Sequence, residues 1–238
     1  TNRILSRFVD AVAISFKESE RYFKSKEKLV YTGNPVRQEI LKADRVSARE
    51  KLGKDLKKPL VVVVGGSLGA ERINNTIVEM LKKRTGQYSF NMIFATGNGQ
   101  YDRVKQLLQG VKTPNVDIVP YIYDAANVYA AADLIVCRAG AITCSELTAL
   151  GVPAIMIPSP NVVANHQEYN ARALEKNGAA VVILEKDLSE ELLYNQIENL
   201  LKDRKQLRKM SENSKKSGIT NATEKIYGII NKLVSGNK

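Results

Sequence analysis

A glycine-rich segment carries the first chemistry that the sequence suggests. Residues 65–70 read Gly-Gly-Ser-Leu-Gly-Ala and lie between a β-branched apolar run and an amphipathic stretch. Glycines let backbone N–H groups approach a phosphate closely, and the N-terminus of a following helix adds partial positive charge. The segment therefore predicts a phosphate-binding turn, with a ligand-free strand-to-helix turn as the alternative. It is neither a dinucleotide fingerprint nor a P-loop, because Ser67 and Ala70 replace required glycines and no Gly-Lys-Ser/Thr follows.

A second polar segment, residues 137–146, combines small residues with a carboxylate. It reads Cys-Arg-Ala-Gly-Ala-Ile-Thr-Cys-Ser-Glu, and we expect Glu146 in the first turn of the helix that follows. A carboxylate there could accept hydrogen bonds from both hydroxyls of a ribose, or it could only cap the helix. Cys137 and Cys144 are interpreted as buried small hydrophobic residues rather than nucleophiles.

A third polar segment, residues 158–170, begins with two prolines separated by one serine. The spacing of His166, Gln167 and Asn170 puts them on one side of a predicted helix start. Amide and imidazole groups at that position could bind several sugar hydroxyls. For His166 the alternative is an exposed surface or capping residue.

Alternating apolar runs and amphipathic stretches predict the elements that hold these segments. Strands are expected over residues 60–64, 90–95, 116–119, 134–137, 154–157 and 180–184. Helices are expected over residues 70–83, 101–108, 125–131, 143–150 and 166–176, with further helices after Asp187. This order predicts an α/β fold with a doubly wound, parallel, six-stranded, Rossmann-like sheet. Ligands of such sheets bind at the carboxyl ends of the strands, so the site is expected on the loops after the first, third, fourth and fifth strands.

The remaining residues do not continue this alternation. We expect residues 1–40 to be the tail of an N-terminal domain and a linker, with strands at 9–16 and 29–32 and a short helix at 19–23. Residues 41–220 are the predicted ligand-binding domain. Residues 221–238 are a predicted C-terminal helix that returns toward the N-terminal domain. Leu192, Leu193, Ile197 and Leu200 should form the buried face of a helix capped by Ser189.

Positive charge is concentrated in the two flanks. The net charge is +11; residues 1–58 carry 15 basic and 8 acidic side chains, residues 59–200 carry 11 and 14, and residues 201–238 carry 10 and 3. The flanks lack interleaved aromatic residues for base stacking, so nucleic acid is not expected as a partner. An anionic membrane surface suits them better, since each basic residue near such a surface gains about 1 kcal/mol. Solvated helix faces are the alternative.

Composition excludes several other classes. A chain of 238 residues that is 44% hydrophobic can bury a core without disulfides. One His and two Cys argue against a zinc site, and a Ser-His-Asp triad would have to use His166. No Asp-x-Asp pair ends a strand, so a metal-bound diphosphate is not indicated. The apolar run at residues 60–64 is far shorter than the roughly 20 residues of a membrane-spanning helix.

Taken together, the motifs resemble the MurG family of peptidoglycan N-acetylglucosaminyltransferases, which have the two-domain GT-B fold. The resemblance rests on residues 34–37 (Asn-Pro-Val-Arg), 65–70, 137–146 and 166–171, in the family's order, and extends over almost the whole chain. It implies that this chain is the C-terminal, donor-binding part of such an enzyme. The family transfers GlcNAc from UDP-GlcNAc to lipid I with inversion, giving lipid II and UDP for the cell wall, without a metal or other cofactor.

The resemblance also implies the donor-binding residues: Arg37, Gly66, Ser67, Gly69, Ile122, Ala141, Ile142, Thr143, Glu146, His166, Gln167 and Asn170. Glu146 would bind the ribose hydroxyls, and Ile122 would present its backbone to the uracil. The diphosphate would lie against the glycine-rich turn, the helix N-terminus at residues 141–143, and Arg37. The three residues of the third segment would bind the GlcNAc hydroxyls.

No catalytic residue is expected in this chain, because the resemblance puts the general base in an N-terminal domain that these residues do not include. The chain alone is therefore expected to bind donor without turnover. In the whole enzyme, lipid I would bind through that domain, on the inner face of the bacterial cytoplasmic membrane.

Three alternative functions remain from the sequence. The chain could be the nucleotide-sugar subunit of a split, two-chain glycosyltransferase. It could be a UDP-GlcNAc 2-epimerase, although a single His argues against that chemistry. It could be a basic nucleic-acid-binding protein, whose affinity would fall steeply with salt.

Overall fold

The computed structural model describes residues 1–66 and 69–236. A six-stranded sheet forms its centre, and its strands are all parallel in the order β5-β4-β3-β6-β7-β8. The strands are β3 (Leu60–Val64), β4 (Asn91–Ala95), β5 (Val116–Val119), β6 (Leu134–Cys137), β7 (Ala154–Met156) and β8 (Ala180–Val182). The predicted doubly wound Rossmann-like sheet is confirmed, and each strand begins within one residue of its predicted start.

Helices on both faces of the sheet complete the fold. They are α4 (Glu71–Arg84), α5 (Tyr101–Leu107), α6 (Ala125–Ala131), α7 (Ala141–Leu150), α8 (His166–Lys176), α9 (Glu190–Lys202) and α10 (Arg204–Ser217). One core lies against α6 and α7, and the other lies against α4 and α9. The sheet is buried on both faces, which explains why Leu60–Val64 is an uninterrupted apolar run rather than an alternating one.

The N-terminal segment forms a small structure of its own. After α1 (Asn2–Leu5), β1 (Val12–Ile14) pairs in parallel with β2 (Leu29–Tyr31), apart from the main sheet. The strand predicted at residues 9–16 is therefore too long, and the helix predicted at residues 19–23 is a 3₁₀ helix at Lys17–Tyr22. The division of the chain at residues 40 and 220 stays a prediction.

Two helices that the sequence analysis did not identify connect this segment to the sheet. They are α2 (Gln38–Lys42) and α3 (Arg45–Lys51), and they pack on α6 and α7. Asp44 caps α3 by accepting hydrogen bonds from the backbone N–H groups of Val46 and Ser47. This is an ordinary N-cap, so the signal for the helix was present in the sequence.

A buried ion pair joins α3 to the amino end of β6. Arg49 is fully buried and donates from Nη2 to Asp133 Oδ2 at 2.6 Å. It also donates to the carbonyl oxygens of Ala131, Asp55 and Lys58. The guanidinium is therefore satisfied on all sides, as a buried charge must be to avoid a large desolvation cost.

The C-terminal helices largely match their prediction. Ser189 caps α9 through its hydroxyl, which accepts a hydrogen bond from Leu192 N. Leu193, Ile197 and Leu200 are buried, but Leu192 is 41% exposed, so its predicted burial is wrong. The last helix, α11 (Ala222–Ser235), leaves several large apolar side chains exposed. None of the described helices has the length and apolar character needed to cross a membrane.

Both cysteines are buried, as the sequence predicted: Cys137 ends β6, Cys144 lies in α7, and neither forms a disulfide. Burial raises the pKa of the Cys144 thiol to about 12 and raises the pKa of Cys137 further. At neutral pH both are therefore protonated thiols, not nucleophiles.

Candidate functional site

A cleft opens where the strand order reverses, between β3 and β6. Its volume is about 550 Å³, and its floor is the carboxyl ends of β3 and β4. The lining residues are Pro35, Arg37, Val64, Gly66, Ala95, Pro120, Tyr121, Ile122, Tyr123, Ala125, Tyr129, Ile142, Thr143 and Glu146. The loops after β3, β5 and β6 therefore meet at this cleft, as parallel doubly wound sheets require of their ligand sites.

Glycines are structurally required in the turn after β3. Gly66 and Gly69 have φ angles of +93° and +76°, in the left-handed region that favours glycine. A Cβ at Gly69 would lie 2.2 Å from the carbonyl oxygen of Thr96, and one at Gly65 would lie 2.5 Å from Ala70 N. Side chains are therefore excluded at Gly65 and Gly69, and Gly66 lines the cleft. Ser67 lies outside the described residues.

Helix α7 begins earlier than predicted, and this changes the interpretation of Glu146. The helix starts at Ala141 rather than Thr143, so Glu146 lies in the second turn and not the first. It therefore does not cap the helix. No side-chain hydrogen bond caps the N-terminus of α7 after Gly140. The first backbone N–H groups of α7 therefore have no side-chain partner. They lie at Ile142 and Thr143, which line the cleft.

Glu146 instead forms an ion pair with Arg37 across the cleft. Arg37 donates from Nε at 3.1 Å and from Nη2 at 2.9 Å, and both donors meet the same oxygen, Oε1. The Glu146 side chain is 7% exposed, whereas that of Arg37 is 57% exposed. The carboxylate is thus held in the wall of the cleft, and the guanidinium projects into it.

These two residues also carry the formal charge of the cleft. Among the described lining residues, Arg37 is the only basic side chain and Glu146 the only carboxylate. Their contact makes the described lining neutral overall.

The segment that carries Arg37 is anchored to α7. Asn34 donates from Nδ2 to the Ser145 hydroxyl at 3.2 Å, one residue before Glu146. Pro35 lines the cleft and Val36 is buried in the core beside it. Residues 34–37 are thus held along α7 by the Asn34–Ser145 hydrogen bond and by the ion pair.

Aromatic side chains form the other wall of the cleft. Tyr121 and Tyr123 make an edge-to-face pair with ring centroids 5.1 Å apart, and they flank the nearly buried Ile122. Tyr129 lies deeper, and burial raises the pKa of its hydroxyl well above the ordinary value. This wall offers aromatic ring faces and backbone polar groups, which suit an aromatic base. Ile122 was predicted as a site residue and lines the cleft, whereas Tyr121, Tyr123 and Tyr129 were not predicted.

The third segment lies outside this cleft. His166 is exposed, with Nδ1 2.9 Å from Val163 O, and Gln167 Oε1 accepts a hydrogen bond from Ser159 N at 3.0 Å. Asn170 is buried and donates to Ala139 O at 3.0 Å. Their side chains thus have three separate partners, and none of the three residues lines the cleft. Of the other expected residues, Gly69 and Ala141 border it without lining it.

No group of three or more His, Cys, Asp and Glu side chains that could hold a metal occurs among residues 1–66 and 69–236.

Comparison with known proteins identifies the family. The family model described as "Glycosyltransferase family 28 C-terminal domain" matches residues 60–226. A relative from Acetivibrio thermocellus, described as a "UDP-N-acetylglucosamine--N-acetylmuramyl-(pentapeptide) pyrophosphoryl-undecaprenol N-acetylglucosamine transferase", is 60% identical over 234 residues. The match covers 98% of this chain and 63% of the relative. The chain thus spans somewhat under two thirds of that relative's length.

Solved structures agree with the fold. The crystal structure of MurG from Acinetobacter baumannii has a TM-score of 0.76 and 33% identity, covering 97% of this chain and 62% of that one. A UDP-GlcNAc 2-epimerase from Neisseria meningitidis, bound to UDP-GlcNAc, has a TM-score of 0.63 and 17% identity. It covers 97% of this chain and 63% of that one, and at this identity the likeness concerns the fold alone. Because the family model matches well over half of the sequence, the chain belongs to glycosyltransferase family 28, as a member of its C-terminal domain family.

Proposed function

We propose that this chain is the donor-binding part of an inverting N-acetylglucosaminyltransferase that uses UDP-GlcNAc and lipid I and produces lipid II. The observation that carries the proposal is a buried carboxylate, Glu146, that faces a base-sized cleft beside a glycine turn and an uncapped helix N-terminus. The 60% identity to a relative with that printed activity supports it.

The cleft suggests a pose for the nucleotide. The uracil lies against the Ile122 backbone and the tyrosine wall, and the ribose hydroxyls donate to Glu146. The diphosphate lies between the turn at Gly66 and the N-terminus of α7, where Thr143 and backbone N–H groups can donate to it. No metal is needed in this pose, because the N–H groups at the start of α7 and the Arg37 guanidinium stabilise the negative charge of the diphosphate.

Arg37 must change partners in this pose. While it contacts Glu146, its guanidinium is held by that carboxylate and is not available to a diphosphate. Both guanidinium donors meet Oε1, so a ribose that takes both carboxylate oxygens must displace at least one of them. The released guanidinium can then turn toward the diphosphate. Ribose binding thereby adds a positive charge to the phosphate site.

This exchange predicts opposite effects on two ligands. Arg37→Met should weaken UDP binding about 10- to 100-fold, because a charge-assisted hydrogen bond to phosphate is lost. Uridine binding should be unchanged or tighter, because Glu146 no longer has a competing partner. Calorimetric titration with both ligands measures these effects. Arg37→Lys keeps the positive charge but loses the paired N–H donors of the guanidinium, so it should weaken UDP binding to an intermediate extent. Equal losses for both ligands would mean that Arg37 only supports the shape of the site.

The GlcNAc would extend from the cleft toward α8. His166, Gln167 and Asn170 remain the proposed hydroxyl-binding residues, but their present partners lie outside the cleft. The loop before α8 has two consecutive non-glycine residues with positive φ, Ala164 at +54° and Asn165 at +52°. Such residues are strained, so rearrangement of this loop around the sugar would be favoured by relief of that strain.

Transfer itself would need groups beyond this cleft. Inversion requires a base at the acceptor hydroxyl. Among the described lining residues the one carboxylate is already committed to Arg37 and, in the proposed pose, to the ribose. We therefore propose that the 238-residue chain alone binds donor without transferring GlcNAc. The described lining contains one acidic side chain and no His, which disfavours 2-epimerase chemistry.

Membrane attachment at the cytoplasmic face belongs to the same proposal. Besides the basic flanks, α1, the turn that follows it and α11 expose large apolar side chains, among them Ile4, Phe8, Tyr227, Ile230 and Val234. Basic and apolar groups together suit an anionic lipid surface. We also keep the proposal that α11 returns toward an N-terminal domain, which would cover part of this apolar surface.

Titration calorimetry tests the proposed function. In buffer with EDTA, UDP-GlcNAc should bind with one-to-one saturation and UDP-glucose more weakly, and added Mg²⁺ should not strengthen binding. Binding that appears only with Mg²⁺, or no preference for a uridine nucleotide over its adenine counterpart, would contradict the proposal. A split two-chain enzyme would give the same binding result but would regain transfer when its partner chain is added.

A further inference from the structure

A second cleft lies at the opposite end of the sheet, by the amino ends of β6 and β7. Its volume is about 320 Å³, and it is formed by the start of α3, the ends of α6 and α7, and one face of α10. Asp133, immediately before β6, and Pro153, immediately before β7, are both in its lining. The cleft lined by Arg37 and Glu146 lies past the carboxyl ends of β3 and β4, at the other end of the sheet, so one ligand cannot occupy both clefts.

Three arginines line this second cleft: Arg45 at the start of α3, and Arg204 and Arg208 on α10. The spacing of Arg204 and Arg208 by four residues puts both on one face of the helix, together with Leu207 and Ser211. These side chains are between 42% and 83% exposed, so their guanidinium groups are accessible.

The acid in this lining is already neutralised. Asp133 receives Nη2 of the buried Arg49 at 2.6 Å, Nη2 of Arg45 at 2.6 Å and the backbone N–H of Leu60 at 2.8 Å. Arg204 approaches Asp133 only to 4.0 Å, which is beyond hydrogen-bond distance. Arg208 contacts Glu212, one turn further along α10 and outside the lining, at 3.2 Å.

The result is a concave surface with excess guanidinium charge. Arg49 alone balances Asp133, so Arg45 and Arg204 add positive charge that no described carboxylate in the lining offsets. Like charges held at one site repel each other, and a bound anion relieves that repulsion. A guanidinium group binds phosphate oxygens through paired N–H donors. Arg204 and Arg208, one helical turn apart, can therefore bind one phosphate group together.

We propose that the cleft lined by Arg45, Arg204 and Arg208 is a second, independent anion site that binds a phosphate group. The proposal does not depend on UDP-GlcNAc binding, because it concerns the other end of the sheet. The same chemistry is offered by a soluble phosphate and by the phosphodiester of an anionic lipid headgroup. The two sources require separate arms of one experiment.

The test compares two double variants with equal loss of charge. Arg204→Gln/Arg208→Gln removes the two lining arginines of α10. Lys205→Gln/Lys209→Gln removes two exposed lysines of the same helix that do not line the cleft. Calorimetric titration with inorganic phosphate should show saturable binding to the wild-type chain. The arginine variant should bind at least about tenfold more weakly, and the lysine variant should stay within about twofold of wild type.

The second arm measures co-sedimentation with vesicles of phosphatidylcholine and phosphatidylglycerol, against vesicles of phosphatidylcholine alone. If only the arginine variant loses vesicle binding, the phosphate source is the lipid headgroup; if vesicle binding does not distinguish the variants, it is a soluble phosphate. Equal loss of phosphate binding in both double variants, or no saturable phosphate binding to the wild type, overturns the proposal. Circular-dichroism spectra and thermal unfolding midpoints that match wild type in both variants confirm that the fold is intact.

Discussion

Glu146→Ala is expected to weaken UDP binding by about 100-fold, which corresponds to roughly 3 kcal/mol. The carboxylate lies in the cleft wall with 7% exposure of its side chain, so the hydrogen bonds that it would accept from ribose hydroxyls in the proposed pose would be shielded from water. Hydrogen bonds to a charged group contribute about 1.5–3 kcal/mol each, and two are lost. Arg37 loses its partner as well, but it is exposed and can be hydrated, so the fold should be retained.

A comparison of ligands separates loss of ribose contacts from a general disturbance of the site. Wild-type chain should prefer UDP over 2′-deoxy-UDP by about tenfold, because one hydroxyl donor to the carboxylate is missing. In Glu146→Ala that preference should disappear. If the variant still distinguishes the two nucleotides, another group binds the ribose and the proposed pose is wrong.

Arg49→Met is expected to lower the free energy of unfolding by about 3–5 kcal/mol, the usual cost of breaking a buried ion pair by removing one partner. The change leaves the charge of the buried Asp133 paired mainly with the partly exposed Arg45. It also removes the donors to the carbonyl oxygens of Ala131, Asp55 and Lys58. Urea unfolding followed by circular dichroism measures the effect.

Arg45→Met is the matched control, because Arg45 donates to the other oxygen of the same carboxylate at the same 2.6 Å. Its side chain is 42% exposed, so solvent screens the pair and the expected loss is below about 1 kcal/mol. Similar losses in the free energy of unfolding from the two variants would contradict the claim that the buried partner of Asp133 stabilises the fold more than the exposed partner does.

The sheet was predictable because local signals agreed with the global fold. The bounds of β3, β5, β6, α6 and α8 match the sequence prediction residue for residue. Buried parallel strands are short apolar runs, and most of the helices are amphipathic; α6 and α9 also have side-chain caps, Asp124 and Ser189. Where the local sequence signal was weaker, the observed boundary of the helix or strand differs from the predicted one. Helix α7 starts two residues early, because Ala141 and Ile142 can continue a helix up to Gly140.

The contacts that organise the site could not be predicted in the same way. Arg37 and Glu146 are 109 residues apart, and Arg49 and Asp133 are 84 residues apart. No local pattern indicates which carboxylate a given arginine meets after folding. The same limit explains why the third segment was grouped with the cleft. Helical spacing puts its residues on one side of α8, but Gln167 bonds to the backbone of Ser159 at the start of the same segment, and Asn170 bonds to the backbone of Ala139 after β6.

The central claim is that the cleft between β3 and β6 binds the UDP-sugar, and amide chemical-shift mapping tests it most directly. UDP-GlcNAc added to ¹⁵N-labelled chain should shift the N–H signals of Gly66, Ile122, Thr143 and Glu146. The signals of Arg45, Asp133 and Arg204, at the other end of the sheet, should stay in place. Shifts confined to that other end, or no shifts at ligand excess, would contradict the claim.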